Sequence, residues 1–554
     1  MTACAAVLVL AWLVSNHYPP WLTFHSDILA AVAACLLAVA GLGSFRRSRI
    51  AIPGPAVFFA ALACIPAAQV ATGLIVFAGD GWIVALYLLC AAWTVVWSAR
   101  LSVSSQVEWA VGLATALLAG ALANCYIAML QRWDVDAGFL TLHIVAIRPG
   151  YAPFGNLAQP NQLASLIGRG LAALMLLYER SRVSAAWALA AAALLTFTLV
   201  VTQSRAALPM FVAAILCHAW LRPRIGLRTP TAIVAGVAAV WGILYFAWFR
   251  ALDSMGMPAL ASLESRLQPG PRASIWAQLW DAIWLRPWSG FGWNQVSEAS
   301  IATAASQAHP RATEHSHNLL LDLILWNGLP LAALIVAIAL WWLIRAAPRV
   351  RSANGAFGLL VVLLLVMHSM LEFPLDYLYF LVPFAAAVGI VAADGGRRET
   401  PTLPRATGFV GVGVFVALIG WIVADYARVE ENFRDMRFAV ARYGRPMPAE
   451  PPPLLQTQFT QLAAFHRLML STPHPGMTRA EVDWTRDVAH RYAYAPSLYR
   501  YALVQALNGQ MDGAAATLAQ LRQLYGAKMY ESAKDEITEL ARGRYPALRE
   551  LHLP

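Results

Sequence analysis

Apolar runs of roughly 15 to 25 residues recur along this chain from its first residues to about residue 425, and they limit its fold more than any other feature. At 1.5 Å of rise per residue, about 20 such residues cross the hydrocarbon of a bilayer. The pattern predicts an all-α, polytopic membrane bundle of about thirteen transmembrane helices. They fall near 4–15, 27–44, 53–77, 82–98, 107–129, 161–178, 185–202, 207–221, 231–249, 317–344, 355–371, 376–393 and 406–425. With 59% hydrophobic and 13% charged residues and a mean hydropathy of +0.57, an ordinary soluble enzyme is excluded. The first run, "ACAAVLVLAWLVS", lacks a basic flank and a small-residue cleavage motif, and reads as a first helix. All six cysteines lie in apolar runs with no CxxC or Cys/His cluster, which predicts small core residues and no disulfide.

Lysine is nearly absent (Lys528 and Lys534), so arginine carries the +10 net charge. "RRSR" (46–49), Arg100, "ERSR" (179–182), "RPRIGLR" (222–228), "RAAPRVR" (345–351) and "GGRRETPTLPR" (395–405) occupy alternate connections. The positive-inside rule makes that side cytoplasmic. The N-terminus is then inside, and the large loop 250–316 and everything after residue 425 are outside. Arg132, Arg148, Arg205, Arg250, Arg266, Arg272, Arg286 and Arg311 are expected on or near the outer side. Arg205, in "VTQSRAAL", sits between two apolar runs with almost no loop. A guanidinium is expensive there, which points to an anionic ligand at the outer surface.

The expected domains are a membrane bundle over 1–425 and a soluble helical domain over 426–554. The second holds 16 Lys/Arg against 13 Asp/Glu, so it carries no nucleic-acid patch. Within it, "PSLYRYALVQALNGQMDGAAATLAQLRQLY" reads as two helices broken at Asn508-Gly509, similar to one tetratricopeptide-like hairpin. A generic helical domain is the competing reading. Either suits a protein partner.

Four polar stretches map to the outer face. "PFGNLAQPNQLASL" (153–166) crowds Gln159, Asn161 and Gln162 around Pro160, where capping competes with binding of sugar hydroxyls or phosphate oxygens. "QSRAAL" holds Arg205. "ESRLQPGPRASIWAQLWDAIWLRPWSGFGWNQ" (264–295) holds Arg272 four residues before Trp276, on one helical face, while Trp280, Trp284, Trp288 and Trp293 read as membrane-interface anchors. Two arginines from separate segments suit a diphosphate. "EHSHNLLLDLILWNG" (314–328) puts Glu314, His315, His317 and Asn318 at the mouth of the tenth helix. Metal ligation, general base catalysis and capping are open for it; no third ligand at a recognisable spacing favours the base. In "EFPLDYLYF" (372–380), Glu372 and Tyr377 are candidates for the same cavity, and Tyr379 and Phe380 read as belt aromatics.

Taken in order, "FGNLAQPNQLASL", "QSRAAL", "RASIWAQLWDAIWLRPWSGFGWNQ", "HSHNLLLDLILWNGL" and "LEFPLDYLYF" resemble the motif series of bacterial protein O-oligosaccharyltransferases of the PglL type, the pilin glycosylases, relatives of O-antigen ligases. The resemblance runs from about 130 to 395, and the late helical domain fits that branch. It implies an undecaprenyl-diphosphate-linked oligosaccharide as donor at the periplasmic face of the inner membrane. As acceptor it implies a serine or threonine hydroxyl of pilin or another exported protein. It also implies His317 as catalytic base, Arg205 and Arg272 on the diphosphate, supporting roles for Gln159, Gln162 and Tyr377, and no metal or cofactor. Its rivals are an O-antigen ligase acting on lipid A core, an O-antigen polymerase, and a transporter of lipid-linked glycan. The gathering of ionisable residues on one side counts against the last.

Overall fold

The computed structural model describes residues 2–44, 49–103, 108–148, 151–254, 271–306, 310–396, 401–441 and 454–552. Arg46, Arg47, Arg266, Arg397, Arg398 and the proline-rich stretch 446–453 lie outside the described residues.

The protein is built almost entirely of helices. They are α1 (Thr2–Ala11), α2 (Phe24–Gly43), α3 (Gly54–Ala71), α4 (Ala78–Ser102), α5 (Trp109–Trp133), α6 (Pro160–Glu179), α7 (Ala185–Val201), α8 (Ala207–Ile225) and α9 (Thr231–Ser254). After them come α10 (Pro271–Leu285), α11 (Val296–Ala302), α12 (Leu319–Ala346), α13 (Ala353–Ser369), α14 (Leu378–Asp394) and α15 (Arg405–Val440). The last five are α16 (Thr460–Leu470), α17 (Arg479–Arg491), α18 (Ala495–Leu507), α19 (Met511–Tyr525) and α20 (Ala527–Arg542). A helix stands at each of the thirteen apolar segments. Seven (α2, α3, α4, α5, α9, α12 and α15) are long and apolar enough to cross a membrane by themselves. α1, α7, α13 and α14 are shorter apolar helices, and α6 and α8 carry arginines. α15 runs to Val440, so the compositional change near 425 falls inside a continuous helix.

The chain groups into two compact units. The first comprises residues 1–63, 86–268 and 338–423. Here α6 packs along α5, where a Cβ on Gly170 would come within 2.7 Å of the Ala121 methyl. Small residues let membrane helices approach closely and gain dispersion contacts, since lipid offers no hydrophobic drive. Two amides of α5 fix the chain entering α6. Gln131 Oε1 accepts from Phe154 N and Gly155 N at 3.1 and 2.9 Å, and Asn124 Oδ1 accepts from Asn156 N at 2.8 Å. Gly155 has φ +63°, and a Cβ there would lie 2.4 Å from Asn124 Oδ1, so both backbone and space require glycine. Arg49–Ala51 and Thr402–Pro404 form a two-stranded antiparallel ribbon where only loops are expected.

The second unit comprises residues 64–85, 269–337 and 424–554. Ile301 and Ala304 of the large loop share one apolar core with Leu498, Leu518 and Ile537 of the C-terminal helices. α18 and α19 break at Asn508-Gly509 and pack on one another, with Gly509 at φ +81° in the turn between them. Thr478 and Glu481 make a reciprocal capping box that starts α17. Arg491 closes a two-bond ion pair on Asp80, Nε and Nη2 at 2.7 and 2.8 Å from its carboxylate oxygens. α12 is broken at Gly328 (φ 74°, ψ 167°), where the Trp326 carbonyl accepts from Gln69 Nε2 at 2.9 Å. Proline at 330 and glycine at 328 are the local cause. Five of the six cysteines are buried; Cys64 is exposed.

Candidate active site

The three amides at the head of α6 do not cap it. Gln159 is the N-cap residue, in extended conformation, with no side-chain cap bond, and Pro160 occupies the first helical position, where its missing N–H is no loss. The amides face other segments. Gln159 Nε2 donates to Glu372 Oε2 at 3.2 Å and Asn161 Nδ2 to Glu372 Oε1 at 2.7 Å. Ser204 Oγ donates to Asn161 Oδ1 at 2.6 Å. Gln162 Oε1 accepts from the Tyr379 hydroxyl at 2.6 Å. Glu372 is 3% exposed, and a buried carboxylate bonded to two amide donors holds its place firmly.

That network puts Arg205 in a pinned turn. Gln203 has φ +55°, Ser204 N meets Thr202 Oγ1 at 3.3 Å, and Ser204 is tied to Asn161. Arg205 follows directly and is exposed. Tyr377 stacks on Tyr379 with ring centroids 5.4 Å apart. Asp27 of α2 receives Leu378 N and Tyr379 N at 2.8 and 3.3 Å, serving the start of α14 where Tyr377 offers no cap bond.

Tyr379 and Phe380 are not belt aromatics. They are 1% and 0% exposed; Tyr379 serves Gln162, and Phe380 lies under the Arg169 guanidinium at 4.2 Å. Arg169 is fully buried in α6. Its Nε reaches Ser165 O at 3.1 Å, and Nη1 and Nη2 have no hydrogen-bond partner among the described residues. Asp27, Arg169 and Ser204 escape a reading of the sequence, although a lone arginine in an apolar helix is itself a signal.

In the second unit the H-S-H-N motif folds into a tight turn. Ser316 is fully buried; its N–H donates to Asp322 Oδ1 at 2.9 Å and its hydroxyl to Asn318 O at 2.9 Å. Asn318 Oδ1 accepts from Leu320 N and Leu321 N, so Asn318 caps α12. His317 is half-buried with φ +58°, a left-handed conformation that costs a non-glycine residue about 1 kcal/mol or more and that persists where surrounding contacts enforce it. His315 is half-buried, and its carbonyl accepts from Thr313 Oγ1 at 2.6 Å. Trp276 Nε1 donates to Ser316 O at 2.8 Å, which brings α10, and with it Arg272 one turn earlier, to this motif. Glu314 is exposed and accepts from the Tyr494 hydroxyl at 2.6 Å. Burial and the Glu314 carboxylate push the Tyr494 phenol up, so it donates.

Trp280, Trp284 and Trp288 are exposed, but Trp293 is buried and stacked on Trp326 at 5.1 Å, so it anchors no interface. Among the described residues no three His, Cys, Asp or Glu side chains gather as a metal site.

Three family profiles match in chain order. One described as protein glycosylation ligase covers 153–178, one described as O-antigen ligase covers 190–336, and one described as virulence factor membrane-bound polymerase, C-terminal, covers 356–539. The chain is 27% identical to the general O-oligosaccharyltransferase of Acinetobacter baylyi (strain ATCC 33305 / BD413 / ADP1) over 547 residues, 94% of this chain and 91% of that protein. It is 29% identical to the ComP-specific O-oligosaccharyltransferase of the same strain over 247 residues, 44% of each chain. A multi-helix membrane glycosyltransferase is the class that these matches and the apolar helices define. More narrowly, the three profiles and the 27% identity over 94% of the chain support a PglL-type O-oligosaccharyltransferase.

Proposed function

We propose that this protein transfers a preassembled glycan from an undecaprenyl-diphosphate carrier to serine or threonine hydroxyls of exported proteins such as pilin. The bundle spans the bacterial inner membrane about thirteen times, with the N-terminus in the cytoplasm. The site and the domain 426–554 face the periplasm, a reading that the arginine-bearing loops on the other side support. The observation that carries the reading is that similarity to the general O-oligosaccharyltransferase extends over 94% of the chain, and so over most of residues 426–554.

In this reading His317 is the general base. The acceptor oxygen attacks the anomeric carbon while His317 takes its proton, and the bond from that carbon to the diphosphate oxygen breaks. Undecaprenyl diphosphate leaves with the electron pair, and the anomeric centre inverts. Arg205 and Arg272 hold the diphosphate and stabilise the charge it gains, by paired N–H donors that a lysine cannot supply. Gln159, Asn161, Gln162, Glu372 and Tyr377 form the wall behind Arg205, and Glu314, His315 and Asn318 orient the His317 turn. No metal enters the step.

The test is transfer in purified components with chelator present: a lipid-diphosphate glycan, and either pilin or lipid A core. Glycosylated pilin is the expected product. Product on lipid A core alone would make the protein an O-antigen ligase, and no product on either acceptor with donor bound would return it to the polymerase or transporter.

A further inference from the structure

At the far end of α6 from Asn161, about 25 Å along the helix, the first unit contains a cavity that this chemistry does not use. It lies among α6, α7, α8, α9 and α13, with walls from residues such as Leu174, Leu189, Leu199, Phe211, Val237 and Leu360. Almost everything that lines it is apolar. The exception is the end formed by Tyr178, His218 and Thr229.

His218 is 1% exposed. Its Nδ1 lies 3.0 Å from Thr231 Oγ1, while Nε2 is buried and has no hydrogen-bond partner among the described residues. An apolar cavity stays dry, and a buried ring nitrogen left without a partner there costs stability. A ligand that passes a polar atom at this depth removes the cost. With the Thr231 hydroxyl donating to Nδ1, Nε2 carries the hydrogen and offers it to a carbonyl.

The same end is basic. Arg228 lies over the Tyr178 ring at 5.0 Å and donates to Ser181 Oγ at 2.7 Å. Arg222 Nε donates to Thr229 O at 3.2 Å, and Arg224 lies over Trp220. Arg180 and Arg182 share Glu108. The second carboxylate, Glu179, is taken by Arg228 N, Thr229 N and Thr229 Oγ1. Arg222, Arg224 and Arg228 have no ion pair among the described residues, and all three are exposed. Apolar space, one buried donor and then a basic rim follow the order of acyl chain, ester carbonyl and anionic phosphate.

We propose that this cavity is a binding site for an anionic phospholipid drawn from the leaflet on the arginine-bearing side. Basic pockets between membrane helices hold such head groups, at about fivefold in affinity per arginine engaged. A polyprenyl chain offers His218 no carbonyl, which separates this ligand from the glycan donor. The inference does not rest on the transferase reading, since its readout needs no glycan.

The experiment is native mass spectrometry of the full-length protein with phosphatidylglycerol, phosphatidylcholine or a polyprenyl monophosphate. One phosphatidylglycerol is expected to stay bound, with phosphatidylcholine held at least about tenfold less. Arg228→Ala should weaken retention about fivefold. Ala188→Trp, which fills the cavity, should abolish it; Ala192→Leu does so in part and guards against misfolding, which thermal unfolding monitors. Equal retention of phosphatidylcholine, retention unchanged in both filling variants, or displacement of phosphatidylglycerol by equimolar polyprenyl monophosphate would each overturn the proposal.

Discussion

Asn161 and Glu372, 211 residues apart, are joined by a 2.7 Å hydrogen bond, and the other face of the Asn161 amide takes the Ser204 hydroxyl. One side chain therefore sets the head of α6, the turn before Arg205 and the link between α13 and α14 against one another. Glu372→Ala leaves two amides without their acceptor and should cost about 2–4 kcal/mol of stability. Glu372→Gln keeps one acceptor and should recover part. Thermal unfolding in detergent, read beside transfer rate, checks both; a Glu372→Ala protein with wild-type stability and activity would show that the network supports neither the fold nor the site.

His317 carries the proton in the proposed step. His317→Ala should lower transfer by about 10²–10⁴ while a labelled lipid-diphosphate donor still binds. If donor binding falls in parallel with transfer, the residue positions the donor instead.

Arginine and lysine separate charge from geometry. Arg205→Lys and Arg272→Lys keep the charge but lose the paired donors. Each should reduce transfer at least about tenfold, more in kcat than in donor KM, because the arginines act on the departing diphosphate. Activity near wild type in either variant would relegate that arginine to general attraction.

Tyr494 ties a C-terminal helix to Glu314. Tyr494→Phe removes one exposed hydrogen bond, worth at most about 1 kcal/mol. Hydrogen exchange over 313–318 should rise, and transfer should fall a few-fold if the tie steadies the His317 turn. Unchanged exchange would make it a passive surface contact.

His490 gives the C-terminal helices an acid limit. Burial, and then the Arg486 charge, lowers its pKa from 6.5 to about 4, so the folded protein holds it neutral. The unfolded chain takes up a proton first as pH falls, and stability is lost from about pH 6.5 down to about pH 4. A shift of that size corresponds to about 1–3 kcal/mol after allowance for partial exposure. Unfolding midpoints against pH should flatten over this window in His490→Gln.

The membrane helices are legible in the sequence because about 20 apolar residues can satisfy their backbone in lipid only as helices. The polar stretches are legible because amides, histidines and arginines are costly where they stand. What those side chains touch is not legible. Glu372 reads as one more cavity residue, yet it is the acceptor for two amides two hundred residues away. Tyr379 and Phe380 have the composition of a membrane girdle and lie wholly inside. Asp27 has nothing in its neighbourhood to single it out, yet it serves α14 from 351 residues away. Contacts of this separation have no local periodicity to announce them. The break in α12 does have one, Asn327-Gly328-Leu329-Pro330, hidden within a long apolar run.

The four side chains of the Glu372 cluster also bear on how such enzymes are recombined. Gln159, Asn161, Ser204 and Glu372 come from three separate stretches of chain and answer one another's hydrogen-bonding needs almost one for one. A chimera that imports only one of those stretches from a relative inherits half a handshake. Breeders of new glycan specificity should move the quartet as a single allele.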